Sequence, residues 1–223
     1  MPKNPLPRTR GLDIIRDFMA LPGMADLDYF VCGSIRRGRE EVGDIDIIVV
    51  GAFPAHGPTD KYKESGALKA RTYMYKRAQI NMWTAQPDSI GSFILYATGS
   101  GTFNRYLRTR AIHKNMKLSQ QGLFNRTTGK LIARETEKEI FNAMGYKYIP
   151  PHDRTTRRIN AVLKAYKLRS ESDRSHVDRL IGRVEDPARY PLAVQGFLPL
   201  TGDFILPSIV KVAPHLNKFL GKA

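Results

Sequence analysis

Residues 31–50 read Val-Cys-Gly-Ser-Ile-Arg-Arg-Gly-Arg-Glu-Glu-Val-Gly-Asp-Ile-Asp-Ile-Ile-Val-Val, and they limit the fold more tightly than any other stretch. A strand closes at Cys32–Gly33, Gly33-Ser34 opens a turn, and a second, largely apolar strand opens at Asp44. Side chains alternate faces along a strand, so Asp44 and Asp46 share one face while Ile45 and Ile47 enter a core. Two carboxylates about 7 Å apart on one strand face repel unless positive charge sits between them. A divalent cation answers this, because Mg²⁺ takes a few carboxylates together with substrate phosphate oxygens. Gly33 and Ser34 offer backbone N–H groups and a hydroxyl to such phosphates, and the forks of Arg36 and Arg37 suit them too. A lone Asp-x-Asp is usually a pair of solvated loop carboxylates. Preceded at this distance by Gly-Ser, it points to a metal-bound triphosphate.

At 223 residues the chain has room for one large or two small domains with cores of their own. Its 42% hydrophobic and 26% charged residues fit a soluble globular protein. No apolar run approaches the roughly 20 residues that span a bilayer, and Met1-Pro2-Lys3 opens no signal peptide. An intracellular protein with no membrane partner is expected, in the cytoplasm or, for a viral protein, in the host cell. Cys32, the single cysteine, cannot form an intrachain disulfide, which fits a reducing compartment. The five histidines show no ligand spacing, so a zinc site is not expected.

The net charge of +15 is unevenly spread. Residues 1–95 hold 13 Lys/Arg and 11 Asp/Glu, a net of +2; residues 96–154 hold 11 and 4, and residues 155–223 hold 12 and 6. Thus +13 lies outside the half with the Asp-x-Asp, as suits a polyanion gripped by one region and processed by another.

Along the chain, apolar residues at helical spacing over 8–21 (Leu12, Ile14, Ile15, Phe18, Met19, Leu21) end at Pro22-Gly23 and predict a helix behind the sheet. Residues 52–60 are rich in breakers and read as loop, with a short helix expected over 60–69. Residues 71–76 and 79–84 alternate like a hairpin turning at Arg77-Ala78. Thr136 with Glu139 forms a capping box before a helix that Gly145 stops. Ile159, Val162, Leu163 and Tyr166 mark a further amphipathic helix in a basic, mostly helical carboxyl-terminal extension, 155–223.

Gly-Ser-x-Arg-Arg-Gly-x-Glu-x-x-Gly-Asp-x-Asp resembles the nucleotidyltransferase signature of the family X DNA polymerases. Residues 95–108, Leu-Tyr-Ala-Thr-Gly-Ser-Gly-Thr-Phe-Asn-Arg-Tyr-Leu-Arg, resemble the family's Tyr-x-Thr-Gly-Ser-x-x-Phe-Asn segment. The resemblance covers roughly residues 8–154, and the chain resembles the small viral members that consist of palm and terminal subdomain. It implies an α+β fold: a palm of mixed sheet with helices on one side (1–95), a small basic α/β nucleotide-selection subdomain (96–154), then the extension. The implied partners are a primer-template or gapped DNA and a dNTP, with two ions, Mg²⁺ or Mn²⁺. The implied activity is dNMP transfer to a primer 3′-OH with pyrophosphate release, in short gaps. Gly33, Ser34, Arg37 and Gly43 would hold the triphosphate. Tyr96, Gly99 and Asn104 would line the nascent pair, with Arg105 and Arg108 on DNA. No lyase region is expected ahead of residue 8.

The resemblance implies a third metal-binding carboxylate on the 79–84 strand, and the family spacing from Thr98-Gly99-Ser100 lands on Asn81. An amide offers a metal only a weak carbonyl oxygen and accepts no proton. Three readings stand open: a deliberate Asp→Asn exchange that traps a substrate complex, a naturally slow enzyme, or a shifted register in which another carboxylate, Asp88 being nearest, serves. Gln79 and Trp83 also replace frequent family arginines. Two other functions compete with templated synthesis. One is non-templated nucleotidyl transfer to RNA or a small molecule, and the other is DNA binding with weak catalysis.

Overall fold

The structure is a computed structural model that describes residues 5–54, 62–65, 70–154 and 159–168. The expected extension therefore lies outside the described residues, apart from 159–168.

The chain opens with β1 (Leu6–Pro7) and α1 (Arg8–Met19), then β2 (Tyr29–Val31), a helical turn α2 (Gly33–Arg36), β3 (Glu41–Val42) and β4 (Ile45–Val50). β5 (Tyr62–Ser65), β6 (Ala70–Tyr75) and β7 (Ala78–Ala85) complete a five-stranded sheet in the order β2-β4-β7-β6-β5. Only β4 and β7 run parallel; every other neighbouring pair is antiparallel. Ile45, Ile47 and Val49 of β4 with Ile80 and Met82 of β7 face α1, which buries Ile14, Ile15, Phe18 and Met19 against them. Each fully buried side chain of this size contributes roughly 1.5–3 kcal/mol, so the period-2 and period-3.6 patterns meet in one core.

The opposite face of the sheet is covered only in part. α3 (Ile90–Thr98) lays Ile90, Phe93 and Ile94 on Cys32, Ile48 and Ala85. The expected helix layer, α1, is thus joined by a helix on the other side. Asp46 lies on this second face, two residues before Ile48.

Two local expectations are corrected. The β6–β7 hairpin turns at Lys76-Arg77, with φ of 48° and 66°, and Ala78 already pairs with Tyr75. Two left-handed residues give the hairpin a turn whose twist matches that of its strands, and the Lys76 amine is held 2.5 Å from Asp17. Residues 62–65, expected within a helix, instead pair with β6 as an edge strand. There Tyr62 meets Tyr73 at 5.6 Å between ring centroids, and the Arg71 guanidinium lies over its face. These contacts outweigh the weak helical preference of a short segment.

A second core follows. α4 (Gly101–His113), the antiparallel strands β8 (Met116–Ser119), β9 (Gly122–Asn125) and β10 (Leu131–Ala133), and α5 (Glu137–Ala143) enclose Phe103, Leu107, Leu123, Ile140 and Phe141. Ile159 and Leu163 of α6 (Ile159–Ala165) join the same cluster. Thr136 caps α5 as its pattern predicts, its Oγ1 accepting from Glu139 N at 3.1 Å, and Gly145 follows the end of the helix at φ 78°. α3 abuts this unit closely, since a Cβ on Gly91 would fall 2.4 Å from the Thr136 Cα. No helix among the described residues is long and apolar enough to cross a membrane.

Candidate active site

The parallel pairing of β4 with β7 sets Asp46 directly beside Asn81, and Asp44 precedes β4 on the same face. Asn81 Nδ2 donates to Asp44 Oδ2 and to Asp46 Oδ1, each at 3.2 Å. Its Oδ1 accepts from Gln79 Nε2 at 2.9 Å and from Thr72 Oγ1 at 3.3 Å. The reading that gave Asp88 the third position is corrected by this register. Asp88 lies past the end of β7 in the turn Pro87–Ser89, ion-paired with Arg134.

Asp46 is mostly enclosed. Burial, and then the neighbouring Asp44 charge, push its carboxyl up to about 7, against the opposing pull of Asn81 and Arg37. A carboxylate held this way favours either a proton or a metal cation.

Gly33 is dictated by this carboxylate. It sits at φ +61°, and a Cβ there would fall 2.0 Å from Asp46 Oδ2, so only glycine lets the backbone pass. Ser34 follows on the short turn α2, and its Oγ is buried with no hydrogen-bond partner among the described residues. Such an orphaned hydroxyl costs about 1–3 kcal/mol, which an anionic ligand seated beside it would recover. Gly43 forms the bend that delivers Asp44 into β4.

The two arginines of the motif divide their work. Arg37 donates to the Thr98 carbonyl oxygen and stands near Asp46 and Asp44; burial lowers its pKa. Arg36 was expected to serve phosphate, but the structure buries it. Its Nη1 donates to Thr98 Oγ1 at 2.6 Å, and its fork meets Glu137 at 2.7 and 3.1 Å. Arg154 reaches the same carboxylate at 2.6 Å, Tyr148 donates to it at 3.3 Å, and the Arg154 guanidinium packs among Phe103, Phe141 and Tyr148. Burial would raise the Glu137 pKa, but Arg154 and Arg36 hold it down at about 2. This buried charge cluster ties the Gly33-Ser34 turn to the second core.

The Thr98-Gly99-Ser100 turn is thereby clasped from the sheet side. Gly99 takes φ +68° with Arg37 Nη1 close by, and Ser100 caps α4 by accepting from Phe103 N at 3.3 Å. Asn104 Nδ2 donates to the Tyr96 carbonyl oxygen at 2.7 Å, and the Arg108 guanidinium lies 5.4 Å from the Tyr96 ring centroid. Tyr96 also meets Phe93 edge-on. Arg105 is exposed on α4, and Phe103 is fully buried, as its apolar setting predicts.

The two carboxylates, the glycine opening and the unpartnered hydroxyl fit a cation that escorts a phosphorylated ligand. The third position offers a hydrogen-bond donor in place of charge. Thr72, Gln79, Glu137, Tyr148 and Arg154 had no part in the motif reading. In the sequence Gln79 stands out only where the family often has arginine, and nothing local pairs Glu137 with Arg36.

Residues 93–155 match the DNA polymerase beta thumb family. The chain is 32% identical to DNA polymerase IV of Saccharomyces cerevisiae over 97 residues, 44% of this chain and 16% of that protein. It is 26% identical to Repair DNA polymerase X of African swine fever virus over 136 residues, 55% of this chain and 78% of the viral protein. The fold is similar to that of Leishmania infantum polymerase beta in a ternary P/T complex, with a TM-score of 0.55 at 20% identity, covering 69% of this chain and 78% of that one.

Proposed function

For a chain related to the family X DNA polymerases, we propose metal-dependent transfer of dNMP from a dNTP to a primer 3′-OH, directed by a template and suited to short gaps. The observation that carries this reading is the cluster of Asp44, Asp46 and Asn81 beside the glycine and hydroxyl of Gly33-Ser34. The relatives are DNA polymerases by name, the viral one a repair polymerase.

Asp44 and Asp46 are the residues that would hold Mg²⁺ or Mn²⁺. A divalent cation there supplies charge neutralisation and Lewis-acid polarisation at phosphate. Gly33, Ser34 and Gly43 bind the triphosphate through N–H groups and the free hydroxyl, while Arg37 braces them against the Thr98 turn. Tyr96, held by Asn104 and faced by Arg108, forms one wall for the nascent base pair, and Gly99 lets the backbone approach it. Residues 1–95 then act as the palm, and residues 96–154 select the nucleotide. Arg105, Arg108 and the positive charge beyond residue 95, including 155–223, hold DNA. Asn81 neither carries charge nor accepts a proton, so the chain as given transfers slowly. That same residue favours a second reading, a DNA-binding protein with residual catalysis.

Primer extension on a one-nucleotide gap tests the proposal. Addition of the complementary dNTP alone, lost in Asp46→Ala, supports it. Addition without regard to the templating base favours non-templated transfer, and DNA binding without any addition, even by Asn81→Asp, favours the second reading.

A further inference from the structure

The two edges of the carboxylate pair differ. Asp46 Oδ2 is closely approached by the Gly33 backbone, where a Cβ would come within 2.0 Å of it. Asp46 Oδ1 and Asp44 Oδ2 both accept from the single nitrogen Asn81 Nδ2. A cation bridging those two oxygens would lie about 2.0–2.1 Å from each, in the space into which the amide hydrogens point. Amide hydrogens carry partial positive charge, so cation and amide compete for one place.

For a cation to win, Asn81 would have to turn its oxygen inward. That oxygen already accepts two hydrogen bonds, from Gln79 Nε2 and Thr72 Oγ1, which use both its lone pairs. Turning it also carries Nδ2 toward Gln79 Nε2, so donor would meet donor unless Gln79 turns as well. Gln79 therefore favours the donor sense of the amide, while the Thr72 hydroxyl can donate or accept.

We infer that this site takes one divalent cation rather than two. Asp44 and Asp46 would hold that one ion, and the second position is filled by the Asn81 amide, which Gln79 orients. Gln79 is a positioning residue in this arrangement. The inference rests on the proposed nucleotide site but is separable from it, because it concerns how many ions bind and not whether one does.

The test uses the full chain with gapped DNA and a dNTP analogue whose α–β bridge cannot be cleaved. Bound Mn²⁺ is counted by equilibrium dialysis against the same DNA and nucleotide without protein, and its electron paramagnetic resonance spectrum is recorded. One protein-dependent Mn²⁺ per chain with an uncoupled spectrum is expected. Asn81→Asp should bind two, with the exchange-coupled spectrum of ions about 3.5–4 Å apart. Two coupled ions in the unaltered chain overturn the inference. So does an Asn81→Asp protein, shown folded by circular dichroism, that still binds one. No protein-dependent Mn²⁺ in either protein overturns the nucleotide-site reading itself.

Discussion

Arg36 and Glu137, 101 residues apart in sequence, meet in a two-pronged ion pair at 2.7 and 3.1 Å that is almost wholly removed from water. Arg36 is two residues beyond Ser34, and Glu137 opens α5 in the second core. The turn that carries Ser34 therefore shares a buried charge cluster with the unit that bears Asn104, whose side chain donates to the Tyr96 carbonyl oxygen. Charges this enclosed are stable only in company, which makes the cluster a sensitive joint.

Glu137→Ala removes the negative charge that Arg36 and Arg154 share. Stranding a partner of a buried pair typically costs about 3–5 kcal/mol, so the urea midpoint should fall steeply or the protein should fail to fold. Glu137→Gln keeps the shape and the acceptor oxygen and should still lose a large share of this stability. A change under about 0.5 kcal/mol in Glu137→Gln would show that the charges are not coupled as described.

Two carboxylates give opposite pH dependences. Glu137 has its pKa lowered to about 2, so its stabilisation is complete above its unfolded pKa and is lost as pH falls through the acid range to about 2. Asp46 has its pKa raised to about 7, so the folded state holds an extra proton between about 4 and 7 and loses stability as pH rises through that window. In EDTA, unfolding by urea should show lower stability at pH 8 than at pH 5, and the difference should shrink in Asp46→Asn. Saturating Mg²⁺ should restore stability at pH 8.

Gly33→Ala places a methyl against Asp46 Oδ2 at a backbone angle that costs an L-residue about 1–3 kcal/mol. Displacing a reacting group by about 1 Å can cost on the order of 10²-fold in rate, so dNTP incorporation should fall by about that factor. DNA affinity, measured by fluorescence anisotropy, should change little.

Arg108→Ala and Arg105→Ala separate two uses of α4. Each should reduce the slope of log affinity against log salt by about one unit if the side chain meets phosphate. Arg108→Ala additionally frees Tyr96, and should raise the KM for dNTP where Arg105→Ala does not.

Much of this was legible because two periodicities are local. Alternation along β4 put Asp44 and Asp46 on one face and Ile45 and Ile47 in the core, and the same rule set Asn81 apart from Ile80 and Met82. The Thr136 cap and the Gly145 stop are equally local. What escaped depends on partners distant in the chain. Arg36 and Arg37 look alike in sequence, but the helical turn α2 points one into the core and the other along the site. Position 81 could be counted to, but the partners of its amide, Gln79 two residues back, Thr72 on a neighbouring strand and the two aspartates, come from the folded sheet. The edge strand Tyr62–Ser65 takes its form from Tyr73 and Arg71, which a short polar stretch does not announce.

The most direct measurement is single-turnover incorporation of a complementary dNTP on gapped DNA by the chain as given and by Asn81→Asp. A positioned general base is worth about 10²–10⁴-fold, and the aspartate would restore metal charge as well. The rate should rise by about two orders of magnitude or more in Asn81→Asp, and the rise should disappear when Asp46→Ala is added. Equal rates in the two proteins, or incorporation that survives Asp46→Ala, would contradict it.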